Sequence, residues 1–256
     1  MKLTRRGIIL ASASVLAGGV IASNWRTLSR ASGYWPLLQA AESASLDAQR
    51  LILHNRPLAP EYRRDQISPN HPTNGGFGAI YVEPDPAYDR MVTTGFRDWR
   101  LSIDGLIDRP MRLSLSDLLA MPARTQITMH SCDEGWSAIG EWTGVPLRHL
   151  LEYAGLKPTA RYVAFHCMDK IAGEHVFGSL DLLDAFHPQT ILAHTMNGQI
   201  LPPRHGAPLR LRMELQIGYK QLKHIDRITV LDSLDTVGKG HGGLFEQYGY
   251  QWYAGL

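Results

Sequence analysis

The chain is 256 residues long, 44% hydrophobic and 20% charged, a balance that fits a folded globular protein and excludes a disordered or fibrous one. Residues 1–40 carry five of the 26 Lys and Arg and none of the 24 acids, so residues 41–256 hold 21 bases against 24 acids. No basic stripe with interleaved aromatics runs through that remainder, which excludes nucleic acid as an expected partner.

Arg5-Arg6 stands directly before an apolar run, Ile8 to Ala22, rich in Gly, Ala and Ser. The run is too short for a membrane span, and a basic stretch followed by such a run reads as an export signal of the twin-arginine type. The expected location is therefore the periplasm. Val20-Ile21-Ala22 and Leu38-Gln39-Ala40 are candidate cleavage sites, and an uncleaved tether to the membrane is the alternative. Residues 1–40 are read as signal or tether and 41–256 as one domain. Twin-arginine export carries folded proteins, which suits a protein loaded with a cofactor before it leaves the cytoplasm.

Between residues 41 and 98 six prolines (57, 60, 69, 72, 84 and 86) and Gly75-Gly76 predict irregular chain. Trp99 to Asp104 alternates as a strand and stops at Gly105. Ser116 reads as the cap of a short helix to Ala120, and Thr125 to Met129 as a strand running into His130-Ser131-Cys132. Pro146 suits the first turn of a helix with Leu147, Leu150, Leu151 and Ala154 on one face, closed by Gly155. Arg161 to Phe165 is a further strand leading to His166-Cys167, and Ser179 is expected to cap a helix through Phe186. Thr190 to Met196, Asn197-Gly198 and Gln199 to Leu201 predict a hairpin with a type I′ turn. Leu209–Met213 and His224–Leu231 complete the strands. Short helices among strands with antiparallel cues give an α+β fold of mixed sheets in a single domain.

Chemistry concentrates at three places. Cys132 sits where a strand enters the loop Asp133-Glu134-Gly135-Trp136-Ser137. A thiolate there serves as a nucleophile, a disulfide partner for Cys167 or a soft-metal ligand, and the residues alone leave all three open. Pro202 to Leu211 (PPRHGAPLRL) and Gly218 to Lys223 (GYKQLK) each set cations beside glycine, a composition that cradles anions.

In order and spacing these segments resemble the molybdopterin-binding domain of the sulfite oxidase family. The match runs through Cys132, Glu134, Gly135, Trp136 and Ser137, then Trp142, Gly144, Val145 and Leu147, then His205 to Leu211 and Gly218 to Lys223, within residues 65 to 235. The resemblance implies the sulfite-oxidase-type fold and a molybdenum–molybdopterin cofactor (Mo-MPT). It assigns Cys132 as catalytic residue and metal ligand, and His205 and Arg210 as contacts to the pterin and its phosphate. Gln221, Leu222 and Lys223 match the phosphate-holding loop. Asn70, Thr73 and Asn74 resemble the upstream cofactor-binding segment. Cys167 stands where the methionine-sulfoxide-reductase-like branch carries a threonine near the pterin.

Departures from the family narrow the expectation. Only 25 residues follow Leu231, too few for the immunoglobulin-like dimerisation domain, so a monomer is expected. No Cys-x-x-Cys-His haem motif is present, which calls for a separate redox partner, a membrane haem protein or cytochrome. The acidic Asp133-Glu134 replaces the basic loop of true sulfite oxidases and favours a neutral S-oxide or N-oxide as the small-molecule substrate, with Glu134, Trp136 and Tyr219 shaping its entrance. The competing readings are a sulfite dehydrogenase, a secreted cysteine hydrolase with Cys132 as nucleophile, and a non-catalytic binding domain.

Overall fold

The computed structural model describes residues 56–73 and 85–256, with positions 40, 41, 44, 45, 48, 51 and 52. The export signal, Asn74 and Gly75-Gly76 lie outside the described residues. Two units form, Met1–Arg56 and Pro57–Leu256. In the first, the described positions are helical and exposed except Arg56, which is half-buried and outside any helix. No helix among the described residues is long and apolar enough to cross a membrane.

The second unit carries the fold. The expectation of irregular chain up to residue 98 fails at Pro86–Thr93, which forms helix α1. Asp85 caps it through a carboxylate accepting from the Ala87 amide at 2.7 Å, and Pro86 occupies the first turn, where a missing N–H costs nothing. One sheet orders β2 (Met111–Ser114), β1 (Arg100–Gly105), β10 (Ile225–Leu231), β5 (Tyr162–Ile171) and β6 (Glu174–Asp181). Within it β1 and β10 run parallel and the other neighbours antiparallel. The other sheet joins β3 (Arg124–Ser131), β4 (Ser137–Pro146), β7 (Ile191–Met196) and β8 (Gln199–Ile200), with β9 (Arg210–Arg212) on β7. The α+β class of mixed sheets with short helices stands.

Helix α2 (Leu115–Leu119) begins at Ser114 rather than Ser116. Ser114 accepts from the Asp117 amide at 3.1 Å while the Asp117 carboxylate reaches back to the Ser114 amide at 2.8 Å, a reciprocal cap unavailable to Ser116. Helix α3 (Leu147–Ala154) buries the expected Leu147, Leu150, Leu151 and Ala154, each large side chain contributing roughly 1.5–3 kcal/mol by leaving water. Gly155 closes it at φ +73°. Ser179 is not a cap. It lies inside β6, its hydroxyl donating to the Gly242 carbonyl at 2.5 Å, and helix α4 (Leu182–Ala185) is capped by Asp181.

Strands β4 and β6 escape a reading by alternation because glycines interrupt them. At Gly144 a β-bulge lets β7 approach so closely that a Cβ would overlap the Leu192 carbonyl and stand 2.5 Å from the Ala193 Cα. The hairpin β7–β8 turns at Asn197 (φ +49°) and Gly198 (φ +73°) as expected. Strand β3 inverts the usual rule. Gln126, Thr128 and His130 point inward, while Met129 is 42% exposed. A polar face turned inward marks a strand that lines a site rather than fills a core.

Candidate functional site

Strands β3 and β4 pair as far as Ser131 and Ser137, so Cys132 to Trp136 form the hairpin loop. The Cys132 amide donates to the Trp136 carbonyl at 2.9 Å and Gly135 closes back onto the Cys132 carbonyl at 3.1 Å with φ +90°. This fixes the Cys132 Cα at a rigid strand end. Its Sγ accepts from the Glu134 amide at 3.4 Å and faces the Asp133 carboxylate at 3.5 Å. Burial pushes the thiol up to about 11, against the Glu134 amide and with help from Asp133. The thiolate therefore forms when a cation takes the place of the proton, the behaviour of a metal ligand rather than a free nucleophile. Cys132 and Cys167 are both free thiols.

Behind the loop stands a buried polar chain. Arg212 donates from Nη1 to His130 Nδ1 at 2.8 Å and grips Glu214 with Nε and Nη2 at 2.9 and 2.5 Å, and Glu214 also accepts from Gln126 at 2.9 Å. With Nδ1 accepting, His130 is neutral and carries its proton on Nε2; burial, then Arg212 and Arg210, hold it far below the usual histidine range. A histidine in this state takes no proton from Cys132, which removes the base that a hydrolase needs. Gly218 passes closely over this corner: a Cβ would meet the Cys132 Cα at 3.1 Å and His130 Nε2 at 3.2 Å.

Arg210 is 2% exposed and pairs with no carboxylate among the described residues. It donates to the His205 and Gln221 carbonyls at 3.0 and 3.3 Å, and its Nε lacks a partner among the described residues. Its guanidinium lies 4.8 Å over the Trp142 ring. Burial, then Arg212, pull its pKa well down. Gly206, at φ +107°, brings the second cation in: a Cβ there would stand 2.9 Å from Lys223 Cβ and 3.2 Å from Arg210 Cβ. Burial and then Arg210 push Lys223 down to about 7. One buried and one half-buried cation, with one orphaned donor, call for an anion, and a phosphate group fits that demand.

The two cations open on a cavity of about 250 Å³, lined by the polar His130, Asp133, Glu134, Asp169 and Gln221 and by the apolar Ile171, Val176 and Phe245 with Tyr250. Of the expected site residues, Arg210, Gln221, Leu222 and Lys223 line it directly, and His205 and Cys132 adjoin it through Arg210 and the Asp133-Glu134 loop. Gln221 is also a brace, bonding both ways to Met213 at 2.9 and 2.7 Å, and Leu222 packs against Gly178. Asn70 and Thr73 are exposed.

The residue between them does the packing. The His71 ring stands edge-on 5.4 Å from His205 and from Trp142 and 5.8 Å from Trp136, and tilted 5.6 Å from His130. Its Nε2 is buried without a partner among the described residues. Sequence reasoning passed over it, and the Pro-flanked Asn70-His71 was the only signal. Glu134 and Tyr219 reach the cavity as expected, whereas Trp136 packs 5.3 Å from His130. Phe245 and Tyr250 belong to no recognisable motif. Lys220, in the same short motif as Lys223, pairs with Glu246 at 2.6 Å instead. Cys167 does not reach this cavity. It lines a second one with Met168 and His166, because β5 bulges between His166 and Lys170.

The buried imidazoles carry a pH signature. His71 is lowered to about 3, His205 to about 4 and His224 to about 3, in each case chiefly by burial. Their folded values lie below the unfolded 6.5, so the unfolded chain binds more protons between pH 6.5 and 4. Stability is present above pH 6.5 and lost as pH falls toward the folded values. His224, fully buried with Nδ1 2.9 Å from the Ala207 carbonyl, alone removes about 1.4 kcal/mol per pH unit in that window. Urea unfolding at pH 7 and pH 5 should show a clearly lower midpoint at pH 5; equal midpoints would contradict these burials.

A thiol at a rigid strand end, beside a buried arginine and a half-buried lysine that need an anion, defines a protein that binds a phosphorylated cofactor bearing a soft metal. The oxidoreductase molybdopterin binding domain matches residues 89–236, and the chain belongs to that family. It is a molybdenum-cofactor-dependent oxidoreductase using Mo-molybdopterin. A protein of Azospira oryzae, provisionally described as the protein-methionine-sulfoxide reductase subunit YedZ1, is 36% identical over 225 residues, 85% of this chain and 78% of that protein. The protein-methionine-sulfoxide reductase catalytic subunit MsrP of Gluconobacter oxydans is 35% identical over 210 residues, 75% of this chain and 65% of that protein. Among solved structures, the sulfane dehydrogenase SoxCD of Paracoccus pantotrophus aligns with a TM-score of 0.49 at 26% identity, over 54% of this chain and 40% of that one.

Proposed function

We propose that the chain reduces a small S-oxide of the methionine sulfoxide type, with Cys132 as the protein ligand to molybdenum. The observation that carries this reading is the setting of Cys132: its loop brings Asp133 and Glu134 to a cavity that Ile171, Val176 and Phe245 also line. Acidic groups disfavour an oxyanion such as sulfite, while an apolar wall accepts the alkyl arms of a neutral sulfoxide. The names of the relatives support the same substrate class.

Arg210 and Lys223 hold the cofactor phosphate, charge-assisted and out of water. His205 and His71 flank the pterin, and the Gln221 brace keeps the loop in place. The Glu134 amide orients the Cys132 sulfur. When bound, the cofactor supplies a metal that accepts the oxygen atom and passes two electrons. The balanced reaction is R₂S=O + 2 H⁺ + 2 e⁻ → R₂S + H₂O.

The electrons come from a separate haem protein in this reading, and the chain works in the periplasm after twin-arginine export. Arg5-Arg6 before the apolar run supports the location. The description of the relatives as subunits supports a separate partner. Holoenzyme supplied with reduced viologen should consume methionine sulfoxide, and the same preparation with ferricyanide should leave sulfite untouched. Sulfite oxidation as fast as sulfoxide reduction would sink the substrate assignment.

A further inference from the structure

The bulge in β5 that carries Cys167 away from the cofactor cavity brings another residue into it. From the pair His166–Phe177 to the pair Lys170–His175, β5 advances four residues while β6 advances two. The register with β10 shifts at the same level, between Ile225 and Arg227, and the Met168 amide bonds to the His224 carbonyl at 2.9 Å. Bulges re-aim side chains beside active sites. Here the result is that Cys167 and Met168 line the second cavity and Asp169 lines the first. Asp169 is 3% exposed, and its Oδ1 has no hydrogen-bond partner among the described residues. One carboxylate oxygen of this cavity-lining residue is thus left without a hydrogen bond among the described residues, while the carboxylate also accepts from its own backbone amide.

We propose that Asp169 is the proton donor of this cavity, delivering a proton to the oxygen released from the S-oxide and refilling from solvent. This rests on the S-oxide reading above. The S–O bond breaks, sulfur gains two electrons from the haem-class donor, and the oxygen leaves as water with one proton from Asp169 and one from solvent. The aspartate left ionised takes its proton back before the next turnover.

The electrostatics agree with the geometry. Burial pushes Asp169 up to about 7, opposed by Lys223 and assisted by Asp226. The groups acting on it are Lys223 from the loop before β10, Asp226 on β10, Tyr88 on α1 and Cys167 on β5. Around the cavity stand His130, Asp133, Glu134, Arg210, Tyr219 and Tyr250.

The test compares holoenzyme with Asp169→Asn and Asp169→Glu. Infrared titration of the wild type should show a protonated-carboxyl stretch that disappears through about pH 7 and is absent from Asp169→Asn. Viologen-driven reduction of methionine sulfoxide should fall about 100-fold in Asp169→Asn, the loss typical of a missing general acid. Molybdenum content should be unchanged, the fall in rate above pH 7 should vanish, and Asp169→Glu should recover part of the rate. A silent infrared titration overturns the role of Asp169 whatever the substrate. So does a titrating band with an unaltered rate in Asp169→Asn, or loss of molybdenum from that variant, which would make Asp169 a cofactor-holding residue. A wild type inactive toward the sulfoxide instead overturns the substrate reading.

Discussion

Cys132→Ala should yield a folded protein that retains no molybdenum and no turnover above background. Changes to groups that merely orient a metal ligand cost roughly 10–100-fold in metal affinity or activity, and loss of the ligand itself is expected to exceed that. The sulfur adds little to the fold. Its contacts are weak sulfur hydrogen bonds at 3.4 and 3.5 Å, and the loop is closed by backbone bonds at Cys132, Gly135 and Trp136 that the variant keeps. The melting temperature should therefore stay within a few degrees of wild type, a shift on the order of 1 kcal/mol or less. Cys132→Ser tests softness alone, since a hydroxyl of similar shape is a poor partner for a high-valent molybdenum held by sulfur. Metal analysis of exported protein, beside a thermal melt, reads both effects. A Cys132→Ala protein with wild-type molybdenum would remove Cys132 as ligand, and a fully active one would remove it from the chemistry.

Local signals carried the sequence reading where local physics decides the outcome. The Asn197-Gly198 turn, the apolar face of α3 and the strand end at Cys132 each depend on a few adjacent residues, and each forms as expected. The cap of α2 was misplaced by two residues because Ser114 and Ser116 are both acceptable caps, and only the reciprocal bond with Asp117 separates them. The inward face of β3 was hidden for a different reason. Gln126 and His130 are tolerable inside only because Glu214 and Arg212, more than eighty residues away, satisfy them. Lys220 and Lys223 stand three residues apart and take opposite fates, since Glu246 near the C-terminus claims one of them. Asp169 and Cys167 exchange places through a bulge that no alternation pattern announces. His71 reaches the site on a segment held across β3 and β4 by Tyr62 and Ser68, contacts set by tertiary packing. What stayed illegible was the long-range pairing of buried polar groups.

That pairing makes Arg212→Met the most destabilising single change expected in the site. The side chains of Arg212 and Glu214 are both 0% exposed, and their two-point contact is the only ion pair either makes among the described residues. Removing the cation leaves a buried carboxylate facing Gln126 alone, and breaking one side of such a pair costs about 3–5 kcal/mol. A domain of ordinary stability holds only about 5–15 kcal/mol in all, so the variant approaches unfolding at growth temperature. The Trp142 ring, 4.4 Å from the guanidinium, loses one of its two cationic neighbours at the same time and keeps Arg210. Replacing both members, Arg212→Met with Glu214→Leu, removes the stranded charge, and the double variant should be more stable than Arg212→Met alone despite having lost more polar contacts. Urea unfolding of the three variants gives the coupling directly. A single Arg212→Met losing less than about 1 kcal/mol would mean that water or a rearranged neighbour screens Glu214. The same chain fixes the His130 tautomer below Cys132, so the rescued double variant should recover stability without recovering full activity. That separation distinguishes the structural role of the ion pair from its hold on the site.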